Sequence, residues 1–114
     1  MTKKCSFMYD DFSDRLMISC KKSSDKVAGS VRVLNLIIDF TSDNKIANIE
    51  LKKASDYLKS LHLNPEILNE LTDASLMFKQ CRDGYLIYFI LKTNEKIERI
   101  PYNIHSVNIP ILSN

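Results

Sequence analysis

The fold is decided by the stretch Leu34–Leu58, which reads LNLIIDFTSDNKIANIELKKASDYL. Its first part, Leu34–Phe40, is apolar on nearly both faces and is typical of a strand. The polar segment Thr41–Lys45 has the small and amide side chains that let a chain reverse. In Ile46–Leu51 apolar and polar residues alternate, as in an antiparallel strand with one buried face. The stretch therefore predicts a strand pair, and its last residues begin a helix.

The predicted helix begins at Ala54, where the hydrophobic period changes. Its expected buried stripe follows the i, i+3, i+4, i+7 spacing: Ala54, Tyr57, Leu58 and Leu61. A second short helix is predicted from Asn64-Pro65-Glu66 through Leu71. Its signals are an amide cap, a proline at the first helical position and an acid near the positive helix end.

Two further strands are predicted before this stretch. Arg15–Cys20 alternates, with Leu16, Ile18 and Cys20 on one face. Val27–Val33 can form another strand, weakened by Gly29. Together with the later strand pair they predict a four-stranded antiparallel β-meander.

A second meander is predicted after the helices. Its strands are Ala74–Cys81, Tyr85–Thr93 and Lys96–Ile100, the first two joined by a turn at Gly84. Pro101 and Pro110 cannot donate to a ladder, so Tyr102–Asn114 is predicted to be an edge strand or an arm. The expected architecture is one α+β domain over residues 1–114, in which residues 63–114 form a β extension of residues 1–62.

Composition fits a single globular domain. The chain has 114 residues, of which 45% are hydrophobic and 26% are charged. No apolar run approaches the roughly 20 residues of a membrane span, and Met1–Met8 lacks a secretory signal. We therefore expect a cytoplasmic protein with no membrane association. The net charge of +2 is smaller than the positive charge expected of a dedicated nucleic-acid-binding protein.

The three cysteines, Cys5, Cys20 and Cys81, form an odd number without a C-x-x-C pair. This spacing argues against a disulfide framework and against a zinc ribbon. Reduced thiols are the expectation.

A series of short motifs runs through the first half of the chain. The motifs are Tyr9-Asp10-Asp11-Phe12-Ser13-Asp14-Arg15-Leu16-Met17-Ile18, Ile38-Asp39-Phe40, Asp43-Asn44-Lys45-Ile46, Ile49-Glu50-Leu51 and Ala54-Ser55. Their order resembles DUF2283, a small prokaryotic domain family of unknown function, over roughly residues 7–60. Lys53 departs from the family, which often has a capping Asp or Asn there. The resemblance implies an archaeal or bacterial protein with a sheet-plus-helix fold and no established activity.

Four carboxylates coincide with that pattern: Asp10, Asp14, Asp39 and Glu50. If they converged, they could hold Mg²⁺ or act as acid and base. The favoured interpretation is structural: Asp10 and Asp14 bond backbone amides near a turn, and Asp39 and Glu50 face water. No catalytic residue, metal site or cofactor is predicted.

Aromatic residues on the predicted later strands suggest a different binding chemistry. These aromatics lie near Lys79, Lys92 and Arg99 and could stack single-stranded bases. They are Phe78, Tyr85, Tyr88 and Phe89. Aromatics on paired strands are more often core residues. A second set of cations that could meet nucleic acid lies toward the amino end: Lys3, Lys4, Lys21, Lys22, Lys26 and Arg32.

The favoured function is a non-enzymatic protein-interaction module. An exposed sheet edge or the arm Tyr102–Asn114 would pair with another chain, most simply a second copy. Two alternatives stay open: a regulatory nucleic-acid-binding or antitoxin-like protein, and a small metal-dependent hydrolase.

Overall fold

The computed structural model describes residues 5–22, 24–43 and 45–105. Among these, 57% lie in strands and 12% in helical turns. The strands are β1 (Ser6–Asp10), β2 (Arg15–Ser19), β3 (Val27–Val33), β4 (Leu36–Thr41), β5 (Ile46–Lys52), β6 (Asp73–Cys81), β7 (Gly84–Lys92) and β8 (Ile97–His105). The helical segments are α1 (Ala54–Ser60) and a 3-10 helix (Pro65–Asn69).

The first sheet has five antiparallel strands in the order β1-β2-β5-β4-β3. The chain leaves β2, forms the β3–β4 hairpin at the far edge and returns as β5 beside β2. The predicted four-stranded meander is therefore wrong, because β2 and β3 are not neighbours and β1 adds a fifth strand. Leu34, with φ 55°, lies in the β3–β4 turn instead of beginning a strand. Alternation identifies the face a strand buries but not the strand it pairs with.

The second sheet contains three antiparallel strands in the order β6-β7-β8. The meander predicted for the carboxyl half is confirmed by this order. Strand β8 continues past Pro101 to His105, so the first part of the predicted arm is an edge strand. Residues 106–114, which form the rest of that arm, lie outside the described residues.

The α+β prediction with two helices is wrong, because the described residues are mostly β and contain one α-helix. The second predicted helix is a 3-10 turn of five residues. Its cap is as expected, since Asn64 Oδ1 accepts from the Glu66 N–H at 3.0 Å. The i to i+3 bond from the Glu70 N–H to the Ile67 carbonyl then closes the turn. Segments this short commonly adopt 3-10 geometry, and the chain then enters β6.

The two sheets face each other across one hydrophobic core. Leu16 and Ile49 of the first sheet and Ile87 and Phe89 of the second have almost no exposed surface. One end of the core is closed by buried residues of the helical segments: Ala54, Leu58, Ile67 and Leu68. Both halves of the chain therefore contribute to the same core.

Cys5 and Cys20 form a disulfide, so the expectation of three reduced thiols is wrong for this pair. The pair lies beside the register pair Ser6↔Ser19 of β1 and β2, with the Cα atoms 4.3 Å apart. Residue spacing did not reveal it because the contact depends on the β1–β2 hairpin, whose first strand was not predicted. Cys81 is free and exposed.

Candidate functional site

Asp14 joins the β1–β2 turn to the start of α1. Its Oδ1 accepts from the Tyr9 hydroxyl at 2.6 Å and from the Ser55 N–H at 2.9 Å, and its Oδ2 accepts from Ser55 Oγ at 2.7 Å. The cap is needed because Lys53, at the N-cap position, has φ 53° and makes no side-chain cap bond. Burial alone would raise the Asp14 pKa, but the bonds from Ser55 and Tyr9 outweigh it and lower the pKa. Asp14 is thus a tertiary helix cap.

Asp10 is bound within the same turn. Its oxygens accept from Ser13 Oγ at 2.8 Å and from the Phe12 N–H at 3.0 Å. The bond from Ser13, followed by that from Phe12, lowers the pKa of Asp10. This is the geometry of a carboxylate that stabilises a turn.

Asp39 and Glu50 lie elsewhere, on the solvent face of the five-stranded sheet. Glu50 pairs with Arg15 at 3.6 Å. Asp39 accepts from Ser30 Oγ at 2.6 Å and from Asn48 Nδ2 at 3.1 Å. The four candidate carboxylates are therefore divided between a turn and a sheet face. Within the described ranges, no group of three or more His, Cys, Asp or Glu residues could hold a metal ion.

The solvent face of the five-stranded sheet has two rows of side chains that cross the strands. In the polar row, Ser19 Oγ donates to Asn48 Oδ1 at 2.6 Å, and the Asn48 amide then donates to Asp39. The neighbouring row contains Met8, Met17, Glu50 and Ile37, which the register places side by side. The two rows line a shallow groove of about 390 Å³, which we call the cross-strand groove.

The three-stranded sheet has an apolar solvent face, which we call the β6–β8 outer face. The register directs Leu86, Tyr88 and Ile90 of β7 away from the core, opposite to Ile87 and Phe89. The edge strands add Met77, which is 39% exposed, Ile97, which is 62% exposed, and the exposed Pro101. Arg99 lies 5.2 Å from the centroid of the Tyr88 ring.

The four aromatics that suggested base stacking lie in three different environments. Phe89 is in the core. Phe78 and Tyr85 stack on each other, with centroids 5.0 Å apart, and face the first sheet across a small apolar gap. Tyr88 alone of the four is on the β6–β8 outer face, and Arg99 lies over its ring. A base would have to displace that guanidinium to stack there.

The β6–β8 outer face was not predicted, although the sequence contains a signal for it. Tyr85–Leu91 is a continuous apolar run, and such runs are typical of strands covered on both faces. The aromatic residues of this run were expected in the core, but Tyr88 lies on the opposite face from Phe89.

Comparison of the chain with protein families, with curated proteins and with solved structures finds no match. The resemblance to DUF2283 therefore stays a prediction. None of the helices in the described ranges is both long enough and apolar enough to cross a membrane.

Proposed function

We propose that this chain is a non-enzymatic protein-interaction module that self-associates through the β6–β8 outer face. The observation that carries the proposal is the two-sided apolar character of β7. One face of the strand is buried in the core, and the other directs the half-buried Leu86, Tyr88 and Ile90 toward solvent. Contiguous apolar surface of this kind is typical of interaction sites.

Pairing along the β8 edge is less favourable than packing on this face. Pro101 lies in the middle of β8 and has no N–H to offer a new strand. Its carbonyl already accepts from the Tyr57 hydroxyl at 2.5 Å. A strand added at this edge could use neither an N–H nor the carbonyl of Pro101. The centre of the edge is therefore protected from pairing.

A second copy of the chain fits the face by symmetry. A two-fold axis that lies in the interface, parallel to the sheet and perpendicular to β7 at Tyr88, places Leu86 of one copy against Ile90 of the other, and these side chains have similar volumes. Strands of nine residues are roughly 30 Å long and three of them span roughly 14 Å, a footprint of about 400 Å². A standard interface buries about 800 Å² per partner. The dimer should therefore be weak and concentration-dependent.

The charges on the face give the association a characteristic salt dependence. Lys79, Lys92 and Arg99 all belong to this face, with Asp73 as its acidic residue. Two copies bring like charges together, so added salt should strengthen the dimer by screening them. Nucleic-acid binding through the same cations would weaken with salt, because counterions would be released on binding.

Sedimentation equilibrium on the full chain, from micromolar to millimolar concentration, tests the proposal. The variant Met77→Lys places a charge in the apolar face and should raise the dimer dissociation constant at least tenfold. The matched control Met8→Lys makes the same change on the other sheet, at a residue that is 58% exposed, and should leave dimerisation unchanged.

Three results would overturn the proposal: a monomer at all concentrations, equal effects of the two variants, or association that weakens with salt. A chain that binds single-stranded DNA at low salt and stays monomeric would favour the nucleic-acid alternative.

A cytoplasmic location, expected from the sequence, is also a proposal. The Cys5–Cys20 disulfide weighs against it, because glutathione keeps most cytosolic thiols reduced. Cell fractionation followed by alkylation of free thiols would decide between the cytoplasm and an oxidising compartment.

A further inference from the structure

We propose that the cross-strand groove binds a small organic cation, an alkylammonium group whose charge lies at Asp39 and whose stem lies along Met17 and Met8. The groove is on the five-stranded sheet, away from the β6–β8 outer face. The inference is therefore independent of the proposed self-association.

The hydrogen bonds of the polar row position Asp39 as an acceptor. Ser19 donates to Asn48 Oδ1, which turns the amide so that its NH₂ donates to Asp39 Oδ2. Ser30 donates to the other oxygen, Oδ1. Each carboxylate oxygen can accept more than one hydrogen bond, so capacity for an ammonium donor remains. The carboxylate is held in place before any ligand arrives.

The charges around the groove favour a cation. Asp39 and Glu50 line it, and no Lys or Arg is among the described residues that do so. Arg15 lies 3.6 Å from Glu50 and offsets that charge. The partners of Asp39, Ser30 and Asn48, are neutral. Among the described residues Asp39 forms no ion pair. Arg32, which the register places beside Ile37, is the nearest cation on β3 and does not line the groove.

The apolar residues of the groove set the length of the ligand's stem. Asp39 is on β4, Met17 on β2 and Met8 on β1, and β5 lies between β4 and β2. Two strand spacings and an offset of two residues along the strands, about 12 Å in all, separate Asp39 from Met17. A stem of six carbons, about 8 Å long when extended, reaches the side chain of Met17 when the ammonium is hydrogen-bonded to Asp39, and its methylenes would leave water for the thioether. Hexylammonium is thus the simplest probe.

Methionine methyl NMR on the full chain tests the proposal with a reporter on each face. The chain has four methionines, and Met8 and Met17 line the groove while Met77 lies on the β6–β8 outer face. Titration with hexylammonium chloride should give saturable shifts at Met8 and Met17 and none at Met77. Neutral 1-hexanol should bind at least tenfold more weakly.

Substitutions separate the contribution of charge from that of shape. Asp39→Asn should reduce hexylammonium affinity at least fivefold, whereas the matched Asp83→Asn, in the exposed β6–β7 turn, should not change it. If Asp39→Asn alters the ligand-free methyl spectrum, Met8→Lys replaces it as the test. That variant supplies a tethered ammonium and should lose binding, while Met77→Lys keeps it.

Equal binding of hexanol and hexylammonium would overturn the proposal. So would shifts of similar size at Met77, or the absence of saturation. The two proposals can fail separately. Met77→Lys should raise the dimer dissociation constant at least tenfold and leave hexylammonium binding unchanged, whereas Met8→Lys should abolish hexylammonium binding and leave the dimer unchanged.

Discussion

Asp14 connects two segments that are distant in sequence, the β1–β2 turn and the start of α1. Its carboxylate accepts from Ser55 and Tyr9, and these bonds lower its pKa in the folded protein. In the unfolded chain an aspartate has a pKa near 3.9. A lowered folded pKa contributes stability that is present above the unfolded pKa and is lost as the pH falls through the folded pKa. Asp10 gives stability the same pH dependence, since its pKa is also lowered.

Asp14→Ala should therefore lower the free energy of unfolding by about 2 kcal/mol at pH 7, because it removes the cap of α1 and a charged acceptor. The loss should be smaller near pH 2, because the carboxylate of Asp14 in the wild type gains a proton as the pH falls through its folded pKa. Urea denaturation of variant and wild type at the two pH values measures this difference. Asp11→Ala, in the same turn and exposed, is the control. An equal loss at both pH values would contradict the charge-based explanation.

The two aspartates also show which residue contacts a sequence can reveal. Asp10 bonds to Phe12 and Ser13, two and three residues away, and local turn chemistry is enough to suggest such a role. Asp14 and Ser55 are 41 residues apart. Their contact exists because β2 pairs with β5 and brings the start of α1 to the turn, and no local pattern contains that pairing.

At the scale of elements, the chain's two glycines should respond oppositely to alanine. Gly29 lies inside β3, and an added Cβ would meet no heavy atom within 4 Å. Gly29→Ala should therefore raise the free energy of unfolding by about 0.5–1 kcal/mol, since it removes backbone freedom from the unfolded chain. Gly84 has φ 154°, which L-residues rarely adopt, so Gly84→Ala should be destabilising by about 1 kcal/mol or more. Thermal unfolding of the two variants measures whether each substitution raises or lowers stability. A loss of stability in Gly29→Ala would show that the β3 backbone needs glycine.

Periodicity identified the elements that bury a regular stripe. Arg15–Ser19 and Ile46–Lys52 are strands with alternating burial, and Ala54 and Leu58 of the predicted helix stripe are buried. The stripe ends early, because Leu61 lies beyond α1 and is exposed. Strand β1 was missed because its residues are intermediate or exposed, which leaves its alternation without a strong apolar set. Edge strands give weak sequence signals for this reason.

At the scale of the whole molecule, the two candidate faces exist because the sheets pack through one side each. Only the inner faces meet in the core, so the outward residues of both sheets are left to solvent. The sequence could suggest that Asp39 and Glu50 face water, but it could not place them in one groove with Met8. Strand order decides that neighbourhood, because β1, β2, β5 and β4 supply the groove in that order.

The Cys5–Cys20 disulfide holds β1 against β2 and so completes the groove. The two residues are 15 positions apart, and closing a loop of that length contributes about 3 kcal/mol in the chain-entropy treatment. Reduction, or Cys20→Ser, should lower the free energy of unfolding by about this amount in urea denaturation. Cys81→Ser, at the exposed free cysteine, should have no effect.

Reduction should also act differently on the two faces. Strand β1 supplies Ser6 and Met8 to the groove but no residue to the β6–β8 outer face. Loosening β1 should therefore weaken hexylammonium binding and leave the dimer dissociation constant unchanged. A reduced protein with unchanged stability and groove affinity would show that the β1–β2 ladder and the packing of Phe7 and Tyr9 hold the edge strand without the disulfide.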